Sequence, residues 1–149
     1  MTRLSRSIAL TLALFPVLAI AGQATATFQV SVTVVASCRL QTQPLVFASY
    51  ITGGPAVGTA TPGSIDVSCT QGTDAAVYLD GDQVMSGPNG AQVAYSLQAN
   101  GQPWSAGESL NVKGRGKEAV HLTISGSVNA GQRVPVGDYA GEEVVRVVY

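Results

Sequence analysis

Histidine is almost missing from this chain, with His121 standing alone in 149 residues beside two cysteines, one tryptophan and only 11% charged side chains. So few imidazoles and thiols leave too few ligands for a zinc or other transition-metal site. Neither a G-x-S-x-G elbow nor an H-E-x-x-H pair occurs, and no carboxylate pair is set on an obvious scaffold. Neither an enzyme nor a cofactor is expected. Heptads and long runs of Leu, Glu and Lys are also lacking, while Val, Thr, Ser, Gly and Ala abound, which favours an all-β domain. Eight basic residues against nine acidic ones give a formal charge of −1 and no case for binding nucleic acid or anionic lipid.

A long apolar run exists only at the front. Arg3 and Arg6 precede an uncharged stretch over residues 8–21, and Ala24-Thr25-Ala26 follows it. This is the layout of a secretory signal peptide over residues 1–26, cleaved after Ala26. An uncleaved anchor is the competing reading, but Pro16 and the small residues behind the run fit processing, and the run is short for a span. The mature form is then not membrane-inserted. Removing 26 of 149 residues leaves 123, enough for one domain, and six basic residues against nine acidic ones, a weakly acidic balance of −3.

Residues 27–38, T-F-Q-V-S-V-T-V-V-A-S-C, place Phe28, Val30, Val32 and Val34 on every second position. That period of two reads as a strand with one buried face, and such an edge has to be paired because it is otherwise a template for association. The partner expected here is another molecule. Export places Cys38 and Cys69 in an oxidising compartment, where an even count predicts a disulfide. Closing a loop of about 31 residues is worth about 3.5 kcal/mol in the chain-entropy picture.

Further strands are expected at residues 45–47, at 64–70 with Ile65, Val67 and Cys69 on one face, and at 75–79, stopped by Asp80-Gly81. Residues 92–98 put Val93, Tyr95 and Leu97 on one face between the turn signals Asn89-Gly90 and Asn100-Gly101. In residues 118–125 Val120, Leu122 and Ile124 alternate with His121, Thr123 and Ser125, which makes the sole histidine a solvated strand residue. Residues 50–62 are rich in Gly, Pro and Thr and read as an irregular loop. Lys113-Gly-Arg115-Gly-Lys117 reads as a solvated hairpin loop, since a phosphate cradle needs a helix start behind it. Asp80 and Asp82 flank Gly81 without the other ligands of a calcium loop, and Trp104 reads as a packing residue rather than an exposed sugar platform.

The final stretch, residues 142–149 or E-E-V-V-R-V-V-Y, is apolar apart from Arg146 and its two leading glutamates. About six strands follow the first, one fewer than an immunoglobulin-like sandwich needs beside its last strand. An apolar terminal strand without a neighbour invites a partner to supply one.

In this order the residues resemble the spore coat protein U domain family, the secreted pilins of the archaic chaperone-usher pathway. The resemblance rests on Phe28-x-Val30 leading to Ala36-Ser37-Cys38, on Phe47-x-x-Tyr50, and on Ile65-x-Val67-x-Cys69. It continues through Tyr95-Ser96-Leu97 with Trp104, then Gly131-Gln132, Gly137-x-Tyr139 and Val145-x-Val147-x-Tyr149. Two local departures are Ala48, where the family usually has glycine, and Ala140-Gly141 in place of an acidic residue.

The resemblance implies an incomplete immunoglobulin-like β-sandwich lacking its last strand, spanning residues 27–149, with a donor segment at residues 27–35. It implies that a periplasmic chaperone lends a strand until the next subunit's N-terminal segment replaces it at an outer-membrane usher. Phe28, Val30, Val32 and Val34 would be donor side chains, and Val145, Val147 and Tyr149 would line the acceptor strand. Other pilin subunits, in a homopolymer, are the implied partners, and a cell-surface fimbrium supporting adhesion and biofilm formation is the implied product. A secreted coat or matrix protein, or a tip adhesin, is the alternative.

Overall fold

Alternation of apolar and polar side chains sets most of the strands. The computed structural model describes residues 23–149, and within it residues 34–149 form one compact unit. Eleven strands follow one another among the described residues. They are β1 (Cys38–Gln43), β2 (Val46–Phe47), β3 (Val57–Thr61), β4 (Gly63–Cys69), β5 (Asp74–Asp80), β6 (Val84–Ser86), β7 (Gln92–Ala99), β8 (Gln102–Trp104), β9 (Ser109–Lys113), β10 (Val120–Val128) and β11 (Val144–Val148). The only helical element among them is a single 3₁₀ turn, Pro88–Gly90, and among the described residues no helix is long and apolar enough to cross a membrane.

The strands make two antiparallel sheets. One runs β1-β4-β10-β3-β2, with β7 also paired to β10 and β6 and β8 paired to β7; the other runs β11-β5-β9. The inner faces meet in one core. Ile65, Val67, Val77, Leu79, Leu97 and Leu122 are among its buried side chains, each stabilising by roughly 1.5–3 kcal/mol on leaving water. Trp104 is 1% exposed and its indole N–H donates to the Glu108 carbonyl at 3.1 Å, so it is a packing residue. The fold is all-β and of the immunoglobulin-like kind expected.

Cys38 and Cys69 stand opposite each other in the β1-β4 register and are disulfide-bonded, with their Cα atoms 4.1 Å apart. Just outside the bridge, Thr70 N–H donates to the Ser37 carbonyl at 2.9 Å and Ser37 N–H donates to Thr70 Oγ1 at 3.1 Å. The chain is therefore held on both sides of the point where it enters β1.

Several expectations are corrected. Residues 23–37 carry no secondary structure, so the first strand starts at Cys38 and not at residue 27. A period of two encodes an apolar face but not a neighbour, and ladder hydrogen bonds need a neighbour. Residues 50–62 are not loop throughout, because β3 pairs with β2 and β10 inside them. The strands β6 and β8 have three residues each, too few to show a period, while β9, with Leu110 and Val112 on its inner face, does alternate and was not expected. The expected signal peptide falls almost wholly outside the described residues.

Other expectations hold. The Lys113 to Lys117 stretch links β9 to β10, and His121 lies on the exposed face of β10 opposite Asp66. Its Nδ1 is 2.6 Å from Asp66 Oδ1, a cross-strand partner that alternation alone does not reveal.

Candidate functional site

Each sheet has a one-sided strand beside the same opening. Among the described residues β2 pairs only with β3, and β11 pairs only with β5. Between these edges lies a cleft of about 1100 Å³, lined by residues 42–50 from the first sheet's rim and by residues 134–145 leading into β11. Core side chains form its floor: Leu79, Tyr95, Leu97, Trp104, Ile124 and Val128 all line it. Apolar side chains also stand in water at its rim, with Val46 52%, Val144 62% and Val136 94% exposed. A core open along two strand edges is a place for a further strand.

The wall that leads into β11 is held by polar contacts. Gln132 is the first anchor: its Oε1 accepts from Ala94 N–H at 2.7 Å, and its Nε2 donates to the carbonyls of Ala94 and Asn129 at 2.9 Å each. Tyr50 secures the same residue, accepting from Gln132 N–H at 2.7 Å and donating to the Gln132 carbonyl at 3.2 Å. Farther along, Ser86 and Ala140 exchange backbone hydrogen bonds at 2.8 and 3.0 Å. The Tyr139 ring lies where a side chain on Gly87 would stand, so that position tolerates only glycine.

Glu143, directly before β11, is the second anchor. Its Oε1 accepts from the Tyr95 hydroxyl at 2.5 Å and from Gln83 N–H at 3.1 Å, tying β11 to β7 and to the turn after β5. Its Oε2 is sealed from solvent and has no hydrogen-bond partner among the described residues. A Cβ on Gly81 would collide with that oxygen, which explains the glycine between Asp80 and Asp82. Burial, and then the hydrogen bond to Glu143, pushes the Tyr95 phenol above its usual range, so it stays a donor at physiological pH.

On the outer face, Arg146 donates to both carboxylate oxygens of Asp80, at 2.8 and 3.2 Å, and sits 4.6 Å from the Tyr78 ring centre. The Arg146 hydrogen bond holds the Asp80 carboxyl below its ordinary value. This pair fastens β11 to β5 from the solvent side. Among the described residues no strand pairs with the opposite edge of β11.

The residues expected to matter fall as follows. Val145 and Val147 are half-buried on the inward face of β11, Val145 lines the cleft, and Tyr149 lies beyond the strand at 56% exposure. Phe28, Val30, Val32 and Val34 are 78–86% exposed and carry no ladder. Sequence reasoning missed the wall over residues 42–50 and the anchors Gln132 and Glu143. Gly131-Gln132 and Gly137-x-Tyr139 were visible as motifs, but their roles depend on Ala94, Tyr50 and Gly87, which are distant in sequence.

A family model, the Spore Coat Protein U domain, matches residues 24–146. No curated protein matches the chain.

Proposed function

The chain belongs to the Spore Coat Protein U domain family, a structural, pilin-type family of the chaperone-usher kind, and from that premise we propose that it is a fibre subunit assembled by strand donation between copies. The segment bearing Phe28, Val30, Val32 and Val34 of one copy lies in the cleft beside β11 of the next. Before assembly a periplasmic chaperone lends a strand to the same cleft, and an outer-membrane usher exchanges it. The product is a cell-surface fimbrium that supports adhesion and biofilm formation.

The cleft carries this reading: it is floored by core side chains and rimmed by the exposed Val46 and Val144, and it lies between two one-sided edges, where a donated strand would restore both ladders. The donor fits in length. Phe28 to Val34 covers about 20 Å at a rise of ~3.4 Å per residue, and β11 covers about 14 Å on the same scale. Four such side chains leaving water stabilise the joint by roughly 1.5–3 kcal/mol each before ordering costs.

Deletion of residues 27–34 should leave a subunit that a chaperone still holds but that no longer polymerises. Val30→Asp and Val32→Asp should each block assembly, because a charge would enter an apolar cleft. Electron microscopy of surface material is the measurement. Fibres of normal length and number from these variants would end the strand-donation reading, and amorphous material from the unaltered chain would favour a coat protein.

A further inference from the structure

Charge is sorted along the sandwich. The end that holds the disulfide carries Arg39 beside Cys38, Lys113 at the end of β9, and Arg115 and Lys117 between β9 and β10. Arg39 and Lys117 line one shallow hollow with Ser37, and Gly116 N–H donates to the Cys69 carbonyl at 3.1 Å. Four of the six basic residues after residue 26 thus gather where the chain enters β1, against Asp74 and Glu118. Lys113 is paired with Asp74 at 3.5 Å.

The opposite end is acidic. Asp80 closes β5, Asp82 lies in the turn behind it, and Glu108 precedes β9. Register pairs Val144 with Asp80, so Glu142 and Glu143 lie at this end as well, and Asp138, Glu142 and Glu143 all line the cleft. Arg146, committed to Asp80, and Arg133 are the basic residues outside the other pole. Asp82, Glu108, Asp138 and Glu142 are exposed.

We infer that the cationic, disulfide-bearing pole of one copy seats against the acidic pole of the copy that receives its strand, and that this contact sets the strand antiparallel to β11. The inference rests on the strand-donation reading above. β11 runs from the acidic end at Val144 toward the disulfide end at Val148. A donor antiparallel to it leaves the cleft at the acidic end, whereas a parallel donor leaves it at the cationic end. Only four residue steps separate Val34 from Cys38, a reach of at most about 14 Å. The donor's own cationic pole is thereby held close to whichever end the strand leaves. The antiparallel choice brings opposite charges together, and the parallel choice brings like charges together. Screening over about 8 Å at 0.15 M salt, against about 30 Å at 0.01 M, makes the contact strongly salt-dependent.

The test measures self-association of the exported chain, refolded from denaturant at fixed concentration, by light scattering and electron microscopy at both salt levels. Reversal of one pole, by Lys113→Glu with Arg115→Glu and Lys117→Glu, or of the other, by Asp82→Lys with Asp138→Lys and Glu142→Lys, should slow association at least about tenfold at 0.01 M. A chain carrying both reversals has the wild-type net charge and opposite poles again, and should recover a rate near wild type. That recovery also excludes misfolding as the cause. Orientation is read separately: copies with Val35→Cys should cross-link to copies with Glu142→Cys and not to copies with Tyr149→Cys. Association that needs Val32 yet ignores charge reversal and salt, or cross-links to Tyr149→Cys, overturns this inference and leaves strand donation standing. Association that does not need Val32 overturns strand donation itself.

Discussion

Replacing Tyr95 by phenylalanine keeps the ring in the core and removes one hydroxyl, which tests whether Glu143 fixes the start of β11. Tyr95 is 7% exposed, and its hydroxyl is one of two donors to Glu143 Oε1; Oε2 has none. Hydrogen bonds to charged groups contribute about 1.5–3 kcal/mol, and the variant leaves a half-buried carboxylate with only the Gln83 N–H. With a urea dependence of about 2 kcal/mol per molar for a domain of this size, the midpoint should fall by about 1 M. The lone, buried Trp104 supplies the fluorescence signal, read at protein concentrations where the transition no longer depends on concentration. Glu143→Gln and the double variant complete a cycle whose coupling should be about 1 kcal/mol or more. Coupling near zero, with a Tyr95→Phe midpoint within about 0.2 M of the parent, would refute the role given to Glu143.

Alkaline pH should weaken the same contact. A phenol whose folded pKa is raised contributes in full below its unfolded value of about 10 and loses that contribution as pH rises toward the folded value. The urea midpoint of the unaltered chain should therefore decline above about pH 10, and Tyr95→Phe should remove this component of the decline. Opening the Cys38–Cys69 bridge by Cys38→Ser with Cys69→Ser should cost about 3.5 kcal/mol, or close to 2 M of urea midpoint on the same scale. Gly81→Val should be worse tolerated than Asp82→Val, because only the first places a side chain against the Glu143 carboxylate; reversed thermal midpoints would contradict that packing.

How much of this was legible in the sequence depended on period and on length. Ile65, Val67 and Cys69, then Val93, Tyr95 and Leu97, then Leu122 and Ile124 announce buried faces, and all of them are buried. β6 and β8 have three residues each and no period to read; they exist because β7 offers them an edge. Trp104 could be read as core, while the chain around it could not be read as strand. Val145 was legible as an inward residue of β11, but the opposing wall over residues 42–50 was not, since only the end of β1 and the two residues of β2 within it are strand. Glu143 was hidden for a different reason. An acidic residue ahead of an apolar strand looks like a solvated boundary, and only folding brings Tyr95 to it from 48 residues away. The front segment shows the limit most clearly: Phe28, Val30, Val32 and Val34 define a face, and nothing in the pattern names what covers it.

The position of the disulfide has a mechanical consequence. Tension applied to the front of the chain arrives at Cys38 and crosses to Cys69 through sulfur, so it loads the interior strand β4 and cannot peel the edge strand β1 away first. The 31 residue steps between the two cysteines can then release no slack, withholding about 110 Å of contour that an unbridged chain would let out.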